Sequence, residues 1–286
     1  MFTVRTQSLA VLPAGAAPLR ILHLSDLHML PWQRRKQEWV RELAQLQPHL
    51  VINTGDNLGH PEALPAVQRA VEPLLDVPGL FVFGSNDYFA PHPKNPASYL
   101  FRSSAPAQES VHRPDLPTRE LRELLSSGRW VDLNNARAAV TVGATRISAV
   151  GLADPHIGMA AMPAPDLRGA ESAADLHLGV THAPYSRALD ALQGDGCELL
   201  FAGHTHGGQL CVPGYGALVT NCDLDTARAS GLHGWPGARP DEPGGKTSVW
   251  LNVSAGLGTS MYAPVRFACR PEVSLLQLVA RPAAAE

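Results

Sequence analysis

Five short blocks gather carboxylates, imidazoles and one side-chain amide in a pattern suited to metal binding. In chain order they are Asp26-Leu27-His28, Gly55-Asp56-Asn57, Gly84-Ser85-Asn86-Asp87, Gly179-Val180-Thr181-His182 and Gly203-His204-Thr205-His206-Gly207-Gly208. Mixed carboxylate and imidazole donors suit divalent transition ions such as Mn, Fe or Zn. Asp26, His28, Asp56, Asn86, His182, His204 and His206 are too many for one tetrahedral site. They are the right number for two ions that share a ligand. Glycines beside them let the backbone turn sharply and approach an ion closely.

Every block follows a stretch that reads as a buried strand. Leu19–Leu24, Leu50–Ile52 and Leu80–Phe83 are unbroken apolar runs, separated by helical patterns over Trp32–Gln47 and Pro61–Leu75. Such runs between helices indicate parallel strands covered on both faces. A helix over Thr118–Ser126, a strand at Trp130–Leu133 and a hairpin of Ala138–Val142 with Arg146–Leu152 follow. Leu176–Val180 and Leu199–Phe201 are further strands, with a helix at Tyr185–Leu192 between them. Beyond residue 208 only strand signals remain, near Leu210–Val212, Leu218–Val219, Val249–Val253 and Val273–Val279. Residues 90–117 and 222–247 read as long loop excursions. In open α/β sheets ligands bind at the carboxyl ends of strands, where all five blocks lie.

The composition sets outer bounds. The 286 residues carry 23 basic and 26 acidic side chains, a formal net charge of −3 that argues against a dedicated nucleic-acid binder. Glycine and proline, 25 of each, demand many turns, and the 45% apolar content excludes a disordered chain. No run approaches the length of a membrane span. Cys197, Cys211, Cys222 and Cys269 are scattered without a C-x-x-C pair, which fits free thiols in a reducing, cytoplasmic compartment.

The blocks DLH, GDN, GSND, THAP and GHTHGGQ, in this order, resemble the calcineurin-like metallophosphoesterases. The resemblance runs from about Leu19 to Leu278. Ser254–Ser260 and Arg270-Pro271-Glu272 are similar to the branch containing the bacterial phosphoesterase YkuE. It implies one domain over residues 1–286, folded as a four-layer α/β/β/α sandwich. It also implies two divalent ions (Mn, Fe or Zn), one on Asp26, His28, Asp56 and His206, the other on Asp56, Asn86, His182 and His204. Asp56 would bridge them, and a metal-bridging hydroxide would attack a phosphomonoester or phosphodiester. The implied substrate is a small-molecule, lipid-linked or cell-wall phosphate ester, and contact with a membrane surface is compatible with it. A monomer or weak dimer is expected.

The third block departs from the family pattern. Ser85 stands where the family has an asparagine ligand and Asn86 where it has a histidine, so Asn86 is expected to reach the metal through a local shift. Gly59 replaces the aspartate that partners that histidine. The proton donor to the leaving group is then sought among His60, Asp87 and His156, of which His156 joins Asp56, Asn86 and His204 as a catalytic candidate. Asn57 and Asn86 are substrate-binding candidates, with completion of the turn the alternative for Asn57. Arg34-Arg35-Lys36 reads as an exposed helix face, with attraction to an acidic lipid surface or polyanion the alternative, and His23 as a core or supporting histidine. Tyr88, Lys94, Arg102, Trp235 and Tyr262 are weighed as cleft or loop residues. Two rival readings are a non-catalytic metal-binding scaffold on the same fold and an amidohydrolase with His204-Thr205-His206 as its H-x-H.

Overall fold

In the computed structural model, residues 1–93, 114–165 and 173–282 are described. Among them, two six-stranded sheets carry the fold. The first comprises β1 (Thr3–Leu12), β2 (Leu19–Leu24), β3 (Leu50–Asn53), β4 (Gly79–Phe81), β5 (Trp130–Asp132) and β14 (Glu272–Ala280). Its order is β1-β14-β2-β3-β4-β5, with β2 to β5 mutually parallel and β14 antiparallel to β2. The second comprises β6 (Ala136–Val142), β7 (Thr145–Leu152), β8 (Leu176–Thr181), β9 (Leu199–Ala202), β12 (Gly231–Trp235) and β13 (Val249–Val253). Here β7, β8, β9 and β13 run parallel, and antiparallel β6 and β12 close the two edges. A small hairpin, β10 (Cys211–Val212) with β11 (Gly216–Ala217), stands apart.

Alternation along each strand builds the layers. Ile21, Leu50, Ile52 and Leu80 face Ile147, Leu178, Val180 and Phe201 in the core between the sheets. Their neighbours Leu22, Leu24, Val51 and Phe81 face outward, beneath α1 (Arg34–Glu42), α2 (Leu64–Val71) and α3 (Thr118–Leu125). On the far side, α4 (Ser186–Gly194) lays Leu189 and Leu192 over Val150, Leu200 and Leu251. The result is the α/β/β/α sandwich that the family resemblance implies. Parallel strands in both sheets bring their carboxyl ends to one edge of the molecule. None of the helices among the described residues is long and apolar enough to cross a membrane.

Several expectations need correction. The first two helices tighten into 3-10 turns at Leu43–Leu46 and Glu72–Leu74, so their regular parts are shorter than the apolar pattern. The excursion at 222–247 contains β12, a strand with two glycines that pairs along its whole length with β13. Leu218–Val219 is not a strand; the local pairing is the β10–β11 hairpin. Arg34 and Arg35 are exposed, whereas Lys36 is buried. Lys94 and Arg102 lie outside the described residues.

Candidate metal centre

The strand ends carry their functional side chains on strained backbone. Asp26, His28, Asp56, His204 and His206 all have positive φ, between 36° and 68°. For residues with a Cβ this conformation is uncommon, and it clusters at functional sites. Close approach is enforced by glycines: a Cβ on Gly84 would lie 2.3 Å from Asp56 Oδ1 and 2.5 Å from the His182 ring. One on Gly203 would overlap Ser25 Oγ.

The cluster closes around two carboxylates. Asp56 Oδ2 lies 3.4 Å from His28 Nε2 and 3.5 Å from His182 Nε2, between the two rings. Asp26 Oδ1 lies 3.7 Å from His206 Nε2 and 4.0 Å from His28 Nε2. Each carboxylate keeps its other oxygen occupied. Asp56 Oδ1 accepts from Asn86 N (2.7 Å), and Asp26 Oδ2 accepts from Ser25 Oγ (2.5 Å) and His204 N (3.1 Å). Three imidazoles are oriented by carbonyls: His182 Nδ1 donates to Thr54 O (2.6 Å), His204 Nε2 to Asn221 O (3.2 Å) and His206 Nδ1 to Gly258 O (3.1 Å). Fixing one ring proton in this way leaves the other nitrogen's lone pair for a cation.

The fit of a metal pair is tested by what remains unpaired. Asp26 Oδ1, both ring nitrogens of His28 and His182 Nε2 are buried without a hydrogen-bond partner. Unpaired buried polar atoms are costly, and an unbound cation partner is a standard reason for them. Asp26, His28 and His206 form one group able to hold an ion; Asp26, Asp56 and His182 form another. Separations of 3.4–4.0 Å suit donors that share cations at bond lengths of about 2.0–2.2 Å. The donor set therefore fits divalent ions.

Electrostatics agree. Burial alone would raise the Asp56 carboxyl, but the His182 and His28 imidazoles hold it well below the ordinary carboxylate range. Burial opposes a charged His182, yet Asp56 and Asp154 raise it well above its ordinary value. A field that attracts a proton to that nitrogen equally attracts a cation. Burial lowers His204, with His156 and His182 adding to the effect.

A hydrogen-bond chain behind the cluster has a direction set by the carboxylate. Ionised Asp26 can only accept, so Ser25 donates to it. Thr54 must then donate to Ser25 (2.6 Å), and His23 Nε2 to Thr54 (3.0 Å). That leaves His23 Nδ1 as acceptor for Asn252 Nδ2 (2.7 Å), on β13 of the opposite sheet. Burial pushes His23 down to about 3, in keeping with the neutral ring this chain needs. Ser25, Thr54 and Asn252 carry no signal that sequence reasoning could use.

Two basic side chains, buried Lys36 and half-buried Arg266, brace the loops. Lys36 Nζ donates to Leu27 O (2.6 Å) and His28 O (3.2 Å), and burial, then Arg266, lower it to about 7. Arg266 donates to Ala255, Gly256, Gly258 and His206 carbonyls, tying the 255–258 turn to the His206 turn. The basic run at 34–36 disguised Lys36, because only its place on the inner face of α1 distinguishes it.

The remaining candidates divide. Asn86 reaches the cluster through its backbone N–H, while its side-chain Nδ2 donates to Phe89 O (3.0 Å). Asn57 is fully buried and its amide exchanges bonds with Asn53 and Asp87, the turn-completing arrangement rather than a substrate contact. Asp87 is likewise internal. Its carboxyl accepts from the backbone of Gly84, Asp56 and Asn57; burial and Asp56 push it up to about 7 against those donors. His60 sits edge-on to Trp32. His156 lies with its ring 4.5 Å from that of His204, its Nδ1 bonded to Tyr185 Oη (3.0 Å). Trp235 is a buried anchor, donating to Asp190 Oδ1, and Tyr88 is buried in the core. The four cysteines form no disulfide with one another.

A family profile described as calcineurin-like phosphoesterase matches residues 19–208. Phosphodiesterase YaeI of Escherichia coli K12 is 26% identical over 285 residues, 97% of this chain and 88% of that protein. Among solved structures, TT1561 of Thermus thermophilus matches with a TM-score of 0.42 and 10% identity, covering 84% of this chain and 90% of that one. The purple acid phosphatase of yellow lupin matches with a TM-score of 0.40 and 11% identity, covering 68% and 39%.

Proposed function

The chain belongs to the calcineurin-like phosphoesterase family, and from that premise we propose how its own residues divide the work of hydrolysing a phosphoric ester. It is a metal-dependent phosphoesterase that uses divalent ions and acts on phosphate esters. We assign one ion to Asp26, His28, Asp56 and His206, and its neighbour to Asp56, Asn86, His182 and His204. The observation that carries this assignment is the convergence of buried, unpartnered donor atoms on Asp26, His28 and His182. When bound, such ions activate water and neutralise charge developing on the phosphoryl oxygens.

The protein's part is orientation. Asn86 N–H holds Asp56 Oδ1 and so aims Oδ2 between His28 and His182, which supports Asp56 as the bridging ligand. Thr54, Asn221 and Gly258 carbonyls fix the ring orientation of three histidines. The Ser25 chain holds Asp26 Oδ2 and leaves Oδ1 free. His156, with Nδ1 held by Tyr185, is half-buried beside His204. That position supports it as the proton donor to the leaving group, where the family's usual histidine is replaced. The Asn86 side chain is assigned to the metal or the substrate through Oδ1, since Nδ2 is engaged.

A core shared by both sheets supports one domain. Manganese is the first ion to test, small or lipid-linked esters are the substrate class, and four cysteines without a disulfide among them support a cytoplasmic setting. The test is turnover of p-nitrophenyl phosphate and bis-p-nitrophenyl phosphate with Mn added. Metal-dependent release from at least one is expected; none from either, with the protein folded, contradicts the reading.

A further inference from the structure

Two thiols meet on one carbonyl beside the metal centre. Cys211 Sγ donates to Gly207 O at 3.1 Å, while Cys269 Sγ reaches the same oxygen at 3.5 Å and His206 O at 3.2 Å. The two thiols also interact directly. Their segments are already neighbours. Leu210 and Phe267 form a parallel bridge, in which Cys211 N donates to Phe267 O (2.9 Å) and Phe267 N to Gln209 O (3.0 Å). Gly207 makes room for the pair, since a Cβ there would lie 2.7 Å from Cys269 Sγ. No sequence pattern announces this meeting, because the two cysteines stand far apart along the chain.

The pair is within reach of solvent. Both cysteines are half-buried and line a cavity of about 740 Å³, whereas Cys197 and Cys222 are buried. Accessible thiols with a second cysteine alongside are the ones that oxidise reversibly to a disulfide. Their surroundings tie them to a metal ligand. Cys269 Sγ and Arg266 Nη1 both donate to His206 O, each at 3.2 Å, and Arg266 Nη1 lies 3.7 Å from Cys269 Sγ. The backbone that carries His206 is therefore held in part by these thiols.

We propose that Cys211 and Cys269 form a modification site, oxidised by a hydroperoxide to a disulfide that loosens His206 and weakens binding of its ion. The pairing stands on geometry alone; the clause about the ion rests on the metal-dependent phosphoesterase reading. In the first step one sulfur attacks the peroxide, the O–O bond breaks, and a sulfenic acid forms as an alcohol or water leaves. The second sulfur then attacks the sulfenic sulfur, the S–S bond forms and water leaves. The two thiols give up two electrons and two protons, and the peroxide takes them up. With both S–H groups consumed, the His206 and Gly207 carbonyls lose these donors. The new bond also draws β10 and the Arg266–Arg270 segment together, which disturbs the Arg266 contacts to His206.

The test treats the full chain with hydrogen peroxide, removes the oxidant, and compares it with the reduced protein. Thiol counting, peptide masses and equilibrium dialysis with Mn are the readouts. The wild type is expected to lose two thiols, to yield a peptide crosslinked through Cys211 and Cys269, and to bind Mn about tenfold more weakly. Dithiothreitol should reverse all three changes. Cys211→Ser, with Cys269→Ser as a second variant, should form no crosslink and show no dithiothreitol-reversible loss of Mn affinity. Four thiols surviving the peroxide, oxidation beyond the sulfenic acid without a crosslink, or a crosslink that persists in either variant would overturn the pairing. A crosslink with unchanged Mn affinity would overturn its effect on His206. Crosslinking and weaker Mn binding, in a protein whose reduced form turns over neither p-nitrophenyl ester, would overturn the phosphoesterase reading and leave the thiol pair standing.

Discussion

Replacing Ser25 by alanine removes one hydroxyl from the back of the metal centre and little volume. That hydroxyl donates to Asp26 Oδ2 at 2.5 Å and accepts from Thr54 at 2.6 Å. Loss of a hydrogen bond to a buried carboxylate costs about 1.5–3 kcal/mol, and an orphaned Thr54 hydroxyl adds about 1 kcal/mol. His204 N–H still reaches Asp26 Oδ2, so the carboxylate stays paired and the total should be about 3 kcal/mol. With Asp26 less firmly aimed, half-saturation by Mn should rise about 10- to 100-fold, as when a supporting partner is removed from a metal ligand. At saturating metal, turnover should recover, because Ser25 touches no reacting group. Urea denaturation of the apo protein and a Mn titration of turnover read the two effects separately. Stability within about 0.5 kcal/mol of the wild type, with unchanged Mn half-saturation, would refute the reasoning about the chain. Thr54→Val, which breaks it one link further back, should act in the same direction.

Other outcomes follow from the same geometry. Asp56→Asn should abolish turnover while leaving the fold intact by circular dichroism, since its Oδ1 can still accept from Asn86 N. Gly84→Ala should reduce Mn-dependent turnover by more than about tenfold, because its Cβ would press on Asp56 and His182; activity assays against metal concentration check this. His23 has a folded-state pKa near 3 against an ordinary 6.5, so between those values the unfolded chain binds the extra proton. Stability should therefore fall as pH drops from about 6.5 towards 3, by an amount on the order of 4 kcal/mol. Denaturation of the apo protein at pH 7 and pH 4 should show a smaller loss in His23→Gln; an equal loss would show that His23 is not its source.

The ligand blocks were legible because the signal is local. A short apolar run ending in Gly-Asp or Gly-His-x-His marks a strand end whatever the rest of the chain does. Parallel strands then bring those ends together, so DLH, GDN and GHTHG fall at one edge as read. What was illegible depends on neighbours distant in sequence. β12 hides in a glycine- and proline-rich stretch, because pairing with β13 rather than its own propensity makes it a strand. Lys36 looks like its exposed neighbours until α1 is turned against the Leu27–His28 carbonyls. Asn57 shows the same limit: its position beside Asp56 suggests a substrate contact, but Asn53, four residues back, and Asp87 claim its amide. Serine and threonine at 25 and 54 are ordinary types whose role exists only once His23 and Asn252 meet across the sandwich.

The most direct measurement is the metal content of the purified, Mn-loaded protein by inductively coupled plasma mass spectrometry, beside Asp56→Asn and His204→Ala. The account predicts two ions per chain in the wild type, no more than one in either variant, and loss of phosphoester turnover with the lost metal. Fewer than one ion in an active wild type, or a full pair retained by Asp56→Asn, would contradict a dinuclear centre bridged by that residue.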